Sequence, residues 1–372
     1  MISKKMILVS GSGDTVVWFR LEFLKKFLDK SYKVYVLAPD IREDLKPVLL
    51  DLGVEFIYIK LNRKGFNVIN LLKSIREIST IFQSLHPDII FSYTHKAILA
   101  SSIAARISGY RNMFSLITGT GHIFDDHTSQ EKLIKSIGSL ALRAALHFNR
   151  LVFFQNPDDK FLFESQHITH PRKTRLVNGS GVNLDTFKVT QLPEQPIFLC
   201  MARLIKSKGI IEFARAAKIV RDSYPNARFL LYGYSDIHVD SIDENEIMNE
   251  WKVRYGVEYM GYSSNPFQTI AQSSIFVLLS YKEGTPRVVL EAMAMGRPII
   301  TTDTPGCRET VKDNLSGFLV PKGDHLQAAS AMISLIDRDL REKMGAEARK
   351  YCESKYNVHM VNDTLFHEMK VS

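Results

Sequence analysis

Long apolar runs are missing from this chain. Nothing in its 372 residues approaches the roughly 18–20 consecutive apolar residues that span a bilayer as a helix. Cysteine is scarce: the 3 present, Cys200, Cys307 and Cys352, are too few and too scattered for a disulfide framework or a zinc site. The start, MISKKMILVSGSG, has two lysines but only a short apolar run before glycine and aspartate, so it is not a secretory signal. Low-complexity tracts and fixed-period repeats are absent too. The expectation is a soluble, cytoplasmic protein that can still lie on a membrane surface.

The charge is uneven. The formal net charge is +8; residues 1–190 hold 26 Lys+Arg against 17 Asp+Glu, and the rest hold 22 against 23. A basic first half implies an anionic partner: nucleic acid, a phosphorylated substrate or an acidic lipid surface. The aromatic–basic interleaving of nucleic-acid binders is lacking, so no nucleic-acid partner is expected.

A chain of this length is too long for one ordinary core and splits into two domains. The first half alternates short apolar runs (6–10, 33–39, 55–61, 88–93, 113–118, 150–156) with amphipathic stretches (18–30, 68–85, 97–107, 130–148). After the polar segment QLPEQP (191–196) the alternation restarts at 197–203, 228–233, 257–261, 274–280 and 297–302, with a helix over 209–223. Strand and helix in alternation predict parallel, doubly wound α/β sheets. The boundaries read 1–190 for the first domain, 191–355 for the second and 356–372 for a C-terminal helix able to return to the first. Ligands of such sheets bind at the carboxyl ends of the strands.

The most informative stretch is SIFVLLSYKEGTPRVVLEAMAMG (274–296), which reads strand, loop, helix. Thr285 is expected as the helix N-cap and Pro286 as its first residue. A helix amino end offers free N–H groups to an anion. Glu283 before it and Glu291 within it are poor phosphate ligands and good acceptors for sugar hydroxyls. One phosphate-binding helix end flanked by two carboxylates suits a nucleotide sugar.

These residues resemble the retaining glycosyltransferases of family four, which have the GT-B fold of two doubly wound Rossmann-like domains. The E-x7-E element, E-G-x-P and the following G-x-P-I strand match that family's signature. The resemblance implies that Glu291 holds the ribose and Glu283 contacts the donor sugar, with Gly284, Thr285, Pro286 and Arg287 around them. MARLIKSKGI (201–210) resembles the family's Arg-x4-Lys-Gly element, so Arg203 and Lys208 are expected to grip the donor diphosphate. Fixed cations aimed at a departing diphosphate lower the barrier in any case. LVNGSGVNLDTF (176–187) is similar to the family's interdomain crossover, with Asn183 in place of the usual aspartate and a structural role.

On the acceptor side the family places the loop SGSGDT (10–15), with Gly13, Asp14 and Arg20 as candidates. His95, in DIIFSYTHKA, resembles a histidine that approaches the donor sugar and is taken as catalytic with Glu283. SLITGTGHIF (115–124) is similar to the L-x-x-G-x-G of lipid-linked-sugar transferases, which makes Gly119 and Gly121 acceptor-side candidates. No metal site and no cofactor are expected. The Asp-Arg-Asp at 337–339 falls in a polar helix pattern, and Asp125–Asp126 and Asp158–Asp159 read as loop and helix-start acids.

Lys60, Arg63, Lys64, Phe66, Val68 and Ile69 make a basic and apolar element suited to the anionic inner face of the plasma membrane; residues 131–150 have a similar character but read first as a core helix of the domain. The pattern is most similar to bacterial enzymes of O-antigen and lipopolysaccharide assembly, above all α-1,3-N-acetylgalactosaminyltransferases acting on undecaprenyl-diphosphate sugars. The expected reaction is transfer of GalNAc from a UDP-sugar to a polyprenyl-diphosphate-linked saccharide with retention. UDP-galactose, UDP-glucose or another donor, a nucleotide-sugar epimerase and a non-catalytic binding protein remain the alternatives.

Overall fold

The computed structural model of the chain describes residues 4–62, 67–120, 129–235 and 240–371, and over 129–137 the backbone alone. The chain forms two compact units, Met1–Ser180 with Asn362–Ser372, and Gly181–Val361.

In the first unit seven strands pair in parallel: β1 (Lys5–Val9), β2 (Lys33–Ala38), β3 (Glu55–Tyr58), β4 (Ile89–Tyr93), β5 (Met113–Ile117), β6 (Leu151–Phe154) and β7 (Thr174–Leu176). Their order is β3-β2-β1-β4-β5-β6-β7. Successive side chains of a strand point to opposite faces, so the unbroken apolar run of β1 feeds two cores. Met6 and Leu8 join one cluster with Phe23, Phe27 and Phe91. Ile7 and Val9 join another with Ile78, Phe82 and Ala100. The covering helices are α1 (Gly13–Asp29), α2 (Lys46–Asp51), α3 (Val68–Leu85), α4 (His95–Ile107), α5 (Ser129–His147) and α6 (Pro157–Ser165). Helix α1 buries Val16, Phe23, Leu24 and Phe27, the helical spacing of its apolar stripe.

The second unit repeats the design with β8 (Ile197–Met201), β9 (Arg228–Tyr232), β10 (Val257–Tyr259), β11 (Ile275–Leu278), β12 (Ile299–Thr302) and β13 (Gly317–Val320), all parallel, in the order β10-β9-β8-β11-β12-β13. Its helices are α7 (Ile210–Ser223), α8 (Glu244–Tyr255), α9 (Pro266–Ala271), α10 (Arg287–Ala294), α11 (His325–Ser334) and α12 (Arg338–Lys355). Phe198 and Phe229 stack with ring centres 5.1 Å apart on one face, while Leu199, Phe276 and Leu278 fill the other. The last helix, α13 (Val358–Met369), belongs to the first unit from Asn362 onward. There its Phe366 ring meets Phe27 at 4.4 Å and Phe23 at 5.7 Å. Truncating a ring so enclosed costs about 3–5 kcal/mol.

Residues 181–190 lie with the second unit, since Val182 and Phe187 are buried in its core beside Leu199 and Tyr356. Strand β7 is too short to carry a period, and β13 opens on Gly317 at φ 150, where a side chain would strike the Ile299 backbone. Neither declares itself in the sequence. Asp337 is not inside a helix as its pattern implied: it caps α12, accepting from the Leu340 N–H at 2.7 Å.

In both units the strand order reverses at one place, between β1 and β4 and between β8 and β11. A crevice opens there at the carboxyl ends of the strands, because the crossovers on either side leave in opposite directions.

Candidate active site

Arg203 follows β8 and Glu283 follows β11, so each flanks the reversal point of the second sheet. Lys208 and Glu283 form an ion pair, each side chain 16% exposed. The segments bearing them are laced together. The Tyr281 N–H donates to the Ser207 carbonyl at 2.9 Å, and the left-handed Gly209 (φ 68) presses so close on Leu279 that no Cβ fits. On its other side the Glu283 N–H donates to the Pro305 carbonyl at 3.0 Å. Gly306, at φ 81, lies against the Glu283 and Gly284 backbone where a side chain would overlap. Glycine is required at both contacts. Arg203 is exposed.

The helix start differs from expectation. Pro286 is the cap, extended at φ −71 and ψ 107, and α10 begins at Arg287. Thr285 does not cap; its hydroxyl donates to the Gly284 carbonyl at 2.9 Å. Arg287 then reaches along the helix to Glu291, Nε to Oε1 at 3.0 Å, and also donates to the Gly181 carbonyl. Burial pushes the Glu291 carboxyl above its ordinary range, and Arg287 pulls it back only in part. Glu283, Arg287 and Glu291 therefore belong to one loop–helix element, with Lys208 held to it. Cys307, close by, is not a nucleophile: burial, with the Glu283 charge adding, pushes its thiol up to about 11.

The first-unit candidates also gather at a reversal point. Gly13 opens α1, its N–H donating to the Asp40 carbonyl at 2.8 Å. A Cβ there would come within 2.6 Å of that oxygen and 2.7 Å of Ile41, so close packing alone demands the glycine. Asp14 accepts from the Arg42 N–H at 2.8 Å. Arg20 is 2% exposed, with its guanidinium 5.4 Å from the Tyr93 ring centre. The Tyr93 and Thr15 hydroxyls are 2.9 Å apart. His95 is the first residue of α4, and Thr94 before it has φ 69 and ψ 136, a conformation β-branched residues rarely hold. The Thr94 hydroxyl accepts from the Gly11 N–H at 3.1 Å, tying the loops after β1 and β4. Gly119, φ 119, follows the adjacent strand β5. Gly121 and the Asp125–Asp126 pair lie outside the described residues, as do Arg63, Lys64 and Phe66 of the basic–apolar element.

Sequence reading missed Thr94, Tyr281, Glu212 and the packing roles of Gly209 and Gly306. The glycine beside each charged motif was the only available signal. Asn183 is structural: its side chain accepts from the Asp185 and Thr186 N–H groups at 2.9 and 3.1 Å. Among the described residues there is no group of three or more metal-ligating side chains, and no helix long and apolar enough to cross a membrane.

Two family models match the chain: glycosyl transferase 4-like over residues 6–156 and glycosyl transferases group 1 over residues 183–351. The chain is 27% identical over 356 residues to the N,N'-diacetylbacillosaminyl-diphospho-undecaprenol alpha-1,3-N-acetylgalactosaminyltransferase of Campylobacter jejuni, covering 91% of this chain and 92% of that one. It is 23% identical to the UDP-Gal:alpha-D-GlcNAc-diphosphoundecaprenol alpha-1,3-galactosyltransferase of Escherichia coli, covering 88% and 89%. The Anabaena HepE structure in complex with UDP and glucose superposes over 100% of both chains with a TM-score of 0.79 at 18% identity. With matching models on both halves and the fold of such enzymes throughout, the chain belongs to the glycosyltransferases of the group 1 and 4-like family, with the GT-B fold.

Proposed function

We propose that this enzyme transfers GalNAc from UDP-GalNAc to a polyprenyl-diphosphate-linked saccharide in surface-glycan assembly, with retention at the anomeric carbon. The observation that carries the donor reading is the element after β11, whose loop and helix bear Glu283, Arg287 and Glu291, with Lys208 of the β8–α7 segment paired to Glu283. The diphosphate lies over the amino end of α10, facing Lys208 and the exposed Arg203. These charges are in place before the bond to the sugar breaks, so they stabilise the departing dianion without reorganising. A carboxylate has room for several hydrogen bonds; Glu283 can hold Lys208 and accept from a sugar hydroxyl, while Glu291, anchored by Arg287, accepts from the ribose. The leaving oxygen takes the acceptor's proton as the new bond forms on the same face.

The choice of GalNAc and of the lipid-linked acceptor follows the Campylobacter relative. The E. coli relative, whose name specifies UDP-Gal, supports galactose as the second reading. We assign the acceptor side to Gly13, Asp14, Gly119 and Gly121, and a catalytic role to His95. The membrane-facing surface is assigned to the start of α3, where Val68, Ile69 and Leu72 are all more than half exposed beside the exposed Lys73 and Arg76. Because protein cations face the diphosphate, turnover is expected to be insensitive to EDTA.

The test is a panel of UDP-sugars against one synthetic polyprenyl-diphosphate monosaccharide, read by UDP release and product mass. GalNAc transfer is expected. Turnover of UDP-galactose or UDP-glucose and not UDP-GalNAc removes the sugar assignment. UDP-sugar isomerisation without acceptor makes the protein an epimerase.

A further inference from the structure

Tyr281 stands two residues before Glu283 and is tied at both ends to the segment that carries Lys208. Its N–H donates to the Ser207 carbonyl. Its hydroxyl donates to Glu212 Oε1 at 2.9 Å, and Glu212 is in the first turn of α7, directly after the Lys208–Gly209 turn. The Lys322 ammonium lies 4.8 Å from the Tyr281 ring centre, which holds the ring from a third side. Burial first, then the Glu212 bond, pushes the phenol up to about 12, so it stays a neutral donor throughout the physiological range.

Glu212 has a structural cost that asks for a reason. It is 9% exposed, and its Oε2 is buried with no hydrogen-bond partner among the described residues. A half-satisfied buried carboxylate lowers stability, and an apolar residue there would pack without that penalty. Native proteins keep such groups where they position something. What this one meets is the residue that leads into the β11–α10 loop.

We propose that the Tyr281–Glu212 hydrogen bond is a strut that sets the placement of Glu283 against Lys208, making both residues positioning residues for the donor site. The inference rests on the donor reading above and deepens it. The backbone bond at Ser207 fixes Tyr281 at one point; the side-chain bond, made on α7 itself, fixes it at a second. Catalysis by fixed charges is sensitive to displacements of about 1 Å, which can cost on the order of a hundredfold.

Four proteins test this: wild type, Tyr281→Phe, Glu212→Gln, and the double variant Tyr281→Phe with Glu212→Leu. Each is characterised by UDP titration calorimetry, by kcat and donor KM, and by thermal midpoint. Tyr281→Phe strands a buried carboxylate and is expected to lower both the midpoint and kcat, with kcat down about tenfold and donor KM changed less. Glu212→Gln keeps an acceptor for the phenol and is expected to retain near wild-type kcat. The double variant replaces both partners by apolar groups, which restores the midpoint while kcat stays low. Wild-type kcat in the double variant, or in Tyr281→Phe, overturns the strut. Failure of wild-type protein to bind UDP overturns the donor reading and the strut with it.

Discussion

Replacing Glu291 by glutamine separates its part in folding from its part in donor binding. The carboxylate accepts from Arg287 Nε at 3.0 Å with 12% of its side chain exposed. Glutamine has nearly the same shape and keeps one acceptor oxygen, so the geometry at Arg287 survives while the charge is lost. Hydrogen bonds to an ionised group are worth about 1.5–3 kcal/mol and neutral ones roughly half of that. If Glu291 accepts two ribose hydroxyls, the substitution removes about 1.5–3 kcal/mol of donor binding, a rise of roughly 10- to 100-fold in the UDP Kd. Stability moves differently. Burial raises the Glu291 carboxyl above 4.5 in the folded state, so the native protein binds this proton more tightly than the unfolded chain. The group's contribution to stability is then fullest below about pH 4.5 and declines as pH rises through the raised value. Glu291→Gln removes that decline: measured by urea denaturation from about pH 4 to about pH 7, the variant's stability relative to wild type must improve as pH increases. A UDP Kd within about threefold of wild type, a difference below about 0.7 kcal/mol, refutes the ribose assignment. A relative stability that worsens with rising pH refutes the electrostatic reasoning.

Three further experiments probe separate parts of the scheme. Arg203→Ala, at an exposed position, is expected to lower kcat by about 10²–10³-fold with the thermal midpoint nearly unchanged, as calorimetry and initial rates will show. Thr94 bears a backbone strain of about 1–3 kcal/mol, so Thr94→Gly should be more stable than Thr94→Val by about that amount in urea titrations; both lose the bond to Gly11, and only glycine relieves the strain. Ile69→Glu with Leu72→Glu should sharply weaken co-sedimentation with anionic vesicles and leave UDP affinity intact, since neither side chain packs in the core of its unit.

Strand-forming runs such as MILV and IFLC were legible because a strand buried on both faces must be apolar throughout, and both reach the cores as their pattern implied. The carboxylates of the E-x7-E element were legible as well, through a spacing that puts one before a helix and the other on it. Their partners were not. Lys208 is far from Glu283 in sequence and meets it because β8 and β11 are neighbours at the place where the strand order reverses.

Local rules also lost to tertiary contacts. Thr285 is a good cap by type, yet Pro286 occupies the cap position and the threonine hydroxyl turns back to Gly284. At Gly13 the requirement for glycine is set by the backbone of Asp40 and the side chain of Ile41, which leave no room for a Cβ. Arg20 reads as an acceptor-side candidate, yet it is buried against Tyr93. By itself the chain's residue pattern determined most of the strands and the longer amphipathic helices, since burial on one or two faces leaves a period in the sequence. Which charges face one another was decided only by the folded sheets, because ion pairs and close glycine contacts form between segments whose separation along the chain carries no trace of their meeting.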